Sequence, residues 1–66
     1  MKYEVFNCVR MIRDNIPEIP KGSEGTILEV YDDAYMVEFF DENHETIPES
    51  LRIPVTDEDL ELVSLH

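Results

Sequence analysis

The chain has 66 residues, 42% of them hydrophobic, and a formal net charge of −11 at pH 7. Residues 1–21 carry four bases and three acids, whereas residues 22–66 carry thirteen acids and one base, Arg52, so the charge divides as +1 and −12. This length suits one domain with no large enclosed cavity; the acidic bulk disfavours nucleic acid, whose binding relies on cations displacing counterions, and no apolar run nears the roughly 18 residues of a membrane span.

Residues 5–13 are rich in β-formers and predict a first strand, with Val9 and Met11 on one face by the period of two. Asp14 and Asn15 end it. Ile16-Pro17-Glu18-Ile19-Pro20 cannot be helical, because each proline holds the residue before it extended. It reads as an ordered loop anchored by Ile16 and Ile19. Gly22 suits a turn needing positive φ, and Gly25 suits a close approach as the next strand begins.

Residues 26–31 and 34–40 predict a β-hairpin across Asp32-Asp33, with a loop of up to four residues because Asp-Asp is a poor two-residue turn. Tyr35, Val37 and Phe39 share one strand face, and Met36, Glu38 and Phe40 share the other. Residues 41–44 form a second turn with Asn43 expected in the left-handed region. Residues 45–47 and 51–55 read as extended, with Pro48 and Pro54 confining them to an edge or bend. Thr56 reads as the cap of one short 3₁₀ turn over the acids that follow. Residues 60–63 form the last strand, and Ser64, Leu65 and His66 fray. Together these elements predict an all-β domain over residues 1–66: a small SH3-like barrel of about five short, bent antiparallel strands.

The stretch KGSEGTILEVYDDAYMVEFFD, residues 21–41, resembles the core of a family of small bacterial proteins of unknown function with SH3-like barrels. Tyr3 to Phe6, Val9 and Asp14 to Pro17 share the resemblance. It implies the fold and no catalytic activity, together with genes arranged in toxin–antitoxin-like pairs. That family often has glycine in the turn after the third strand, where this chain has Asn43-His44-Glu45. Residues 22–30 also resemble the KOW motif of ribosomal and transcription-elongation proteins. The Lys and Arg that those barrels use on RNA are missing here after Lys21, so RNA binding is not carried over.

The chain offers little for catalysis. Cys8 reads as a small apolar strand residue, since no nucleophile constellation accompanies it. His44 beside Asp41, Glu42 and Glu45 is better read as a solvated turn than as a metal site. Asp32, Asp33, Asp41 and Glu42 would meet only if both turns converge, and they lack the spacing of a calcium loop. Glu29 and Glu38 read as solvent-facing glutamates. Gly22 and Gly25 precede a strand, so they present no helix N-terminus to a phosphate. The expectation is no catalytic residue, no metal and no cofactor.

Aromatic side chains rimmed by carboxylates make a protein-binding surface. The candidates are Tyr31, Asp32 and Asp33, then Phe40, Asp41 and Glu42, then Asp57, Glu58 and Asp59. For Phe40 the competing reading is a minor core under the proline-rich loop, and for residues 56–61 a solvated face. The expected function is a non-enzymatic, cytoplasmic, acidic protein-binding module. An antitoxin or immunity-type inhibitor of a basic partner is its concrete form, and an accessory or regulatory subunit of an enzyme complex is the alternative. Neither nucleic acid nor membrane is an expected partner, and the proline-interrupted edges leave a homodimer open.

Overall fold

The computed structural model describes residues 2–63; the fraying expected at Ser64, Leu65 and His66 lies outside them. Four strands form one antiparallel sheet: β1 (Cys8–Met11), β2 (Glu24–Val30), β3 (Tyr35–Phe40) and β4 (Leu60–Leu62). Their order is β3-β2-β1-β4. Two 3₁₀ turns, Pro48–Leu51 and Asp57–Asp59, are the only helical structure among the described residues. No helix there is long and apolar enough to cross a membrane.

Alternation sets the inner face. Val9, Met11, Ile27, Tyr35, Val37 and Phe39 are fully buried, and Leu60 nearly so. Tyr3, Ile19 and Val55 close over them, with Ile16, Ile47 and Ile53 packed at the margin. The loop expected to anchor through Ile16 and Ile19 does so, with the Ile19 N–H donating to the Ile16 carbonyl at 3.0 Å. Burial of each such apolar side chain contributes about 1.5–3 kcal/mol, which a domain this small needs.

β1 is shorter than its composition suggests. Residues 4–7 form a tight turn closed by Asn7 N–H to the Glu4 carbonyl at 3.1 Å, with Phe6 at φ 71°. The Asn7 side chain accepts the Glu4 N–H at 3.0 Å in return. These local bonds, together with Phe6 N–H to the Ile27 carbonyl at 2.7 Å, outweigh the β-propensity of Val5 and Phe6.

β2 and β3 make the expected hairpin, and its turn spans Tyr31 to Ala34, closed by the Tyr31 N–H to the Ala34 carbonyl at 2.8 Å. The register pairs Ile27 with Val37 but Glu29 with Met36, so Leu28 is the extra residue of a bulge. Gly25 meets the requirement for close approach, since a Cβ there would lie 2.9 Å from the Phe39 Cα.

Residues 45–47 and 51–55, predicted extended, ladder with β3 only through two isolated bridges. Phe40 bridges Thr46 and Tyr35 bridges Val55. Between them the chain leaves the extended path for the 3₁₀ turn Pro48–Leu51, which packs against β3. Proline at the start of that turn has a preset φ and no N–H to satisfy. The buried Ser50 hydroxyl then takes the place of a strand neighbour, accepting the Phe39 N–H at 3.1 Å and donating to the Ile47 carbonyl at 2.7 Å.

The turn Asp57–Asp59 forms where Thr56 predicts it. The Thr56 N–H and hydroxyl donate to the Asp59 carboxylate at 2.9 and 3.1 Å. The solvated-face reading fails for Asp59, which is only 5% exposed. Reciprocal capping and a hydrogen bond from Asn15 at 3.1 Å draw its carboxylate inward.

Candidate functional site

A groove of about 490 Å³ lies at one end of the β2–β3 hairpin. It lies between two turns that the register Glu24↔Phe40 sets side by side. The first turn runs from Pro20 to Ser23, with the Ser23 N–H and hydroxyl donating to the Pro20 carbonyl at 3.0 and 2.6 Å. Gly22 takes φ 95° at its third position, where a type II turn requires positive φ. The Gly22 N–H also reaches the Met11 carbonyl at 2.7 Å, which fixes the turn to the end of β1.

The second turn runs from Asp41 to Glu45. The Asp41 Oδ1 accepts the N–H groups of Asn43 at 2.8 Å and Glu45 at 3.0 Å, and His44 N–H donates to the Asp41 carbonyl at 2.9 Å. The left-handed residue is His44, at φ 63°, and not Asn43. A type I turn followed by one left-handed residue places positive φ one position later than a two-residue turn does.

Pro20, Phe40 and Ile47 make the apolar walls of the groove, and Glu24, Asp41 and Glu42 set carboxylates along it. Lys21 and His44 complete the rim. Glu24 is already engaged: Arg10 donates to it through Nη2 at 2.8 Å and to Glu61 through Nη1 at 2.7 Å. Glu42 is exposed.

The residues expected to form one partner surface fall in three places. Phe40, Asp41 and Glu42 belong to the groove. Tyr31, Asp32 and Asp33 occupy the opposite end of β3, whose six residues separate the two ends by roughly 20 Å. The two acidic turns therefore do not converge. The Tyr31 hydroxyl donates to Glu29 at 3.3 Å; desolvation and that carboxylate raise the Tyr31 phenol above its ordinary value. A small hollow of about 60 Å³ beside Tyr31 is lined by Met36, Pro54 and Arg52.

The third place, residues 57–59, is mostly occupied by internal contacts. Asp57 accepts the buried Tyr35 hydroxyl. Burial opposes ionisation of Asp59, but bonds from Thr56 and Asn15 and the Arg13 charge, 3.7 Å away, outweigh it and hold its carboxyl below the ordinary value. Only Glu58 stands exposed. Among the described residues no three His, Cys, Asp or Glu side chains come together in a way that could hold a metal ion.

Sequence reasoning missed the contributions of Pro20, Lys21, Glu24 and Ile47. Both turns were visible as turns; the pairing that makes a groove of them is a property of the sheet register. The molecule is thus a small all-β domain with a part-apolar, acid-rimmed groove between two hairpin-end turns. A family model described as "Domain of unknown function (DUF4926)" matches residues 6–57, and the chain belongs to that family. Comparison with curated proteins and with solved structures finds no match.

Proposed function

We propose that this chain is a non-enzymatic acidic binding module for a basic protein, acting in the manner of an antitoxin or immunity-type inhibitor. The observation that carries this reading is the charge distribution. Thirteen acids and one base follow residue 21, and Arg10, one of the few cations before it, is already held between Glu24 and Glu61. The remaining carboxylates generate a one-signed field that attracts cationic surfaces and speeds encounter. The bridges that return residues 46 and 55 to β3 support placing the sheet among SH3-like barrels, a fold that presents its turns as binding surfaces.

The test is a tagged isolation from the native cell at low and moderate salt, read by mass spectrometry. One basic protein recovered in near-equal amount, and lost as salt rises, is the expected result. Screening over a Debye length of about 10 Å at 0.1 M salt predicts that loss. A preparation with no stoichiometric partner at either salt rejects the reading.

A further inference from the structure

We infer that the groove between the Pro20–Ser23 and Asp41–Glu45 turns seats an arginine-bearing segment of the partner, an assignment that rests on the proposed binding of a basic protein. Its volume of about 490 Å³ falls in the range of sites that hold a compact group. Phe40 and Ile47 give the groove apolar wall, and Glu42 adds a carboxylate to its lining. That combination matches a guanidinium better than an ammonium. A planar guanidinium stacks on an aromatic face while pairing with a carboxylate through two parallel N–H bonds, whereas an ammonium is a compact, strongly hydrated point charge.

The charge balance of the groove points the same way. Glu24, Asp41 and Glu42 line it with Lys21; even with Glu24 paired to Arg10 the three acids exceed the two bases, and low-dielectric walls focus such a field. The other acidic stations fit less well. Asp57 and Asp59 are bound internally, which leaves that turn Glu58 as its one exposed acid, and the hollow beside Tyr31, at about 60 Å³, is far smaller than the groove. Asp41 is a positioning residue, since its Oδ1 holds the second turn closed.

The experiment is a titration of the ¹⁵N-labelled full chain with three capped Gly-Ser peptides bearing three arginines, three lysines or three glutamates, at low salt. The arginine peptide is expected to shift the amides of Gly22, Ser23, Glu42 and His44, and to bind several-fold more tightly than the lysine peptide. The variants Glu42→Lys and Asp33→Lys make the same charge change at opposite ends of β3, both at exposed turn positions. Glu42→Lys is expected to weaken arginine-peptide binding at least tenfold more than Asp33→Lys. Equal losses, shifts centred on Asp32, Asp33 or Glu58, or equal affinity for lysine overturn the groove assignment and leave the basic-partner reading standing. No binding of either cationic peptide overturns the groove assignment, and the isolation experiment then decides the broader reading separately.

Discussion

The buried Tyr35 hydroxyl donates to the Asp57 carboxylate and accepts the Tyr3 N–H at 2.9 Å. One phenol thereby ties β3 to the acidic 3₁₀ turn and to the N-terminal segment, whose Tyr3 hydroxyl continues to the Leu60 carbonyl at 3.2 Å. Removing it strands a donor and a carboxylate together. Tyr35→Phe should cost about 1–3 kcal/mol in urea unfolding at neutral pH. Desolvation, then the hydrogen bond to Asp57, raise the Tyr35 phenol above its ordinary value of 10.0. The folded state therefore keeps that proton at pH values where the unfolded chain loses it. The resulting stability is present below pH 10 and is lost as pH rises through the raised value. The gap between wild type and Tyr35→Phe should accordingly narrow in strongly alkaline solution, and a constant gap would contradict the linkage.

Gly25 and Gly22 should respond differently to alanine. At Gly25 a Cβ would press on the Glu38 carbonyl group and the Phe39 Cα, all backbone atoms that cannot swing away. Gly25→Ala should cost about 3 kcal/mol or prevent folding. At Gly22 a Cβ meets nothing within 4 Å, and only the φ of 95° opposes it, for about 1 kcal/mol. Chemical denaturation of the two variants side by side checks the order.

Phe6 is 74% exposed and holds a φ of 71°, a conformation unfavourable for a bulky side chain. Asn tolerates it better. Phe6→Asn should therefore raise stability by up to about 1 kcal/mol, seen as a higher Tm. A lower Tm would mean that the ring's remaining buried quarter outweighs the backbone strain.

Asp59 should govern part of the acid response. Its carboxyl is held below the ordinary value of 3.8, so the folded state binds its proton less readily than the unfolded chain. That contribution is fully present above the ordinary value and disappears as pH falls through the lowered one. Asp59→Asn should be destabilising at pH 7 by about 1–3 kcal/mol, and the difference from wild type should shrink towards pH 2. Because the same protonation relieves self-repulsion elsewhere in a chain of net charge −11, the paired comparison, and not the wild-type curve alone, isolates Asp59.

Local chemistry made much of this protein legible in advance. The period of two in Val9 and Met11, and in Tyr35, Val37 and Phe39, names an inner face, because any strand must send alternate side chains to opposite sides. Gly22 and Gly25 announced a turn and a close approach, and Thr56 announced its cap, since each requirement is met within a few residues. What neighbours in sequence cannot carry is the pairing of distant backbone. The register Glu24↔Phe40 decided that two ordinary turns border one groove. The separation along β3 decided that Asp32 and Asp33 stand apart from Asp41 and Glu42. Ser50 could replace a strand neighbour only once Phe39 lay beside it, and Asp59 was drawn inward only once Asn15 and Arg13, far back in the chain, came within reach. Periodicity and turn chemistry are encoded over a few residues, whereas register, edge covering and the burial of a charged group emerge from contacts that exist only after the chain has folded.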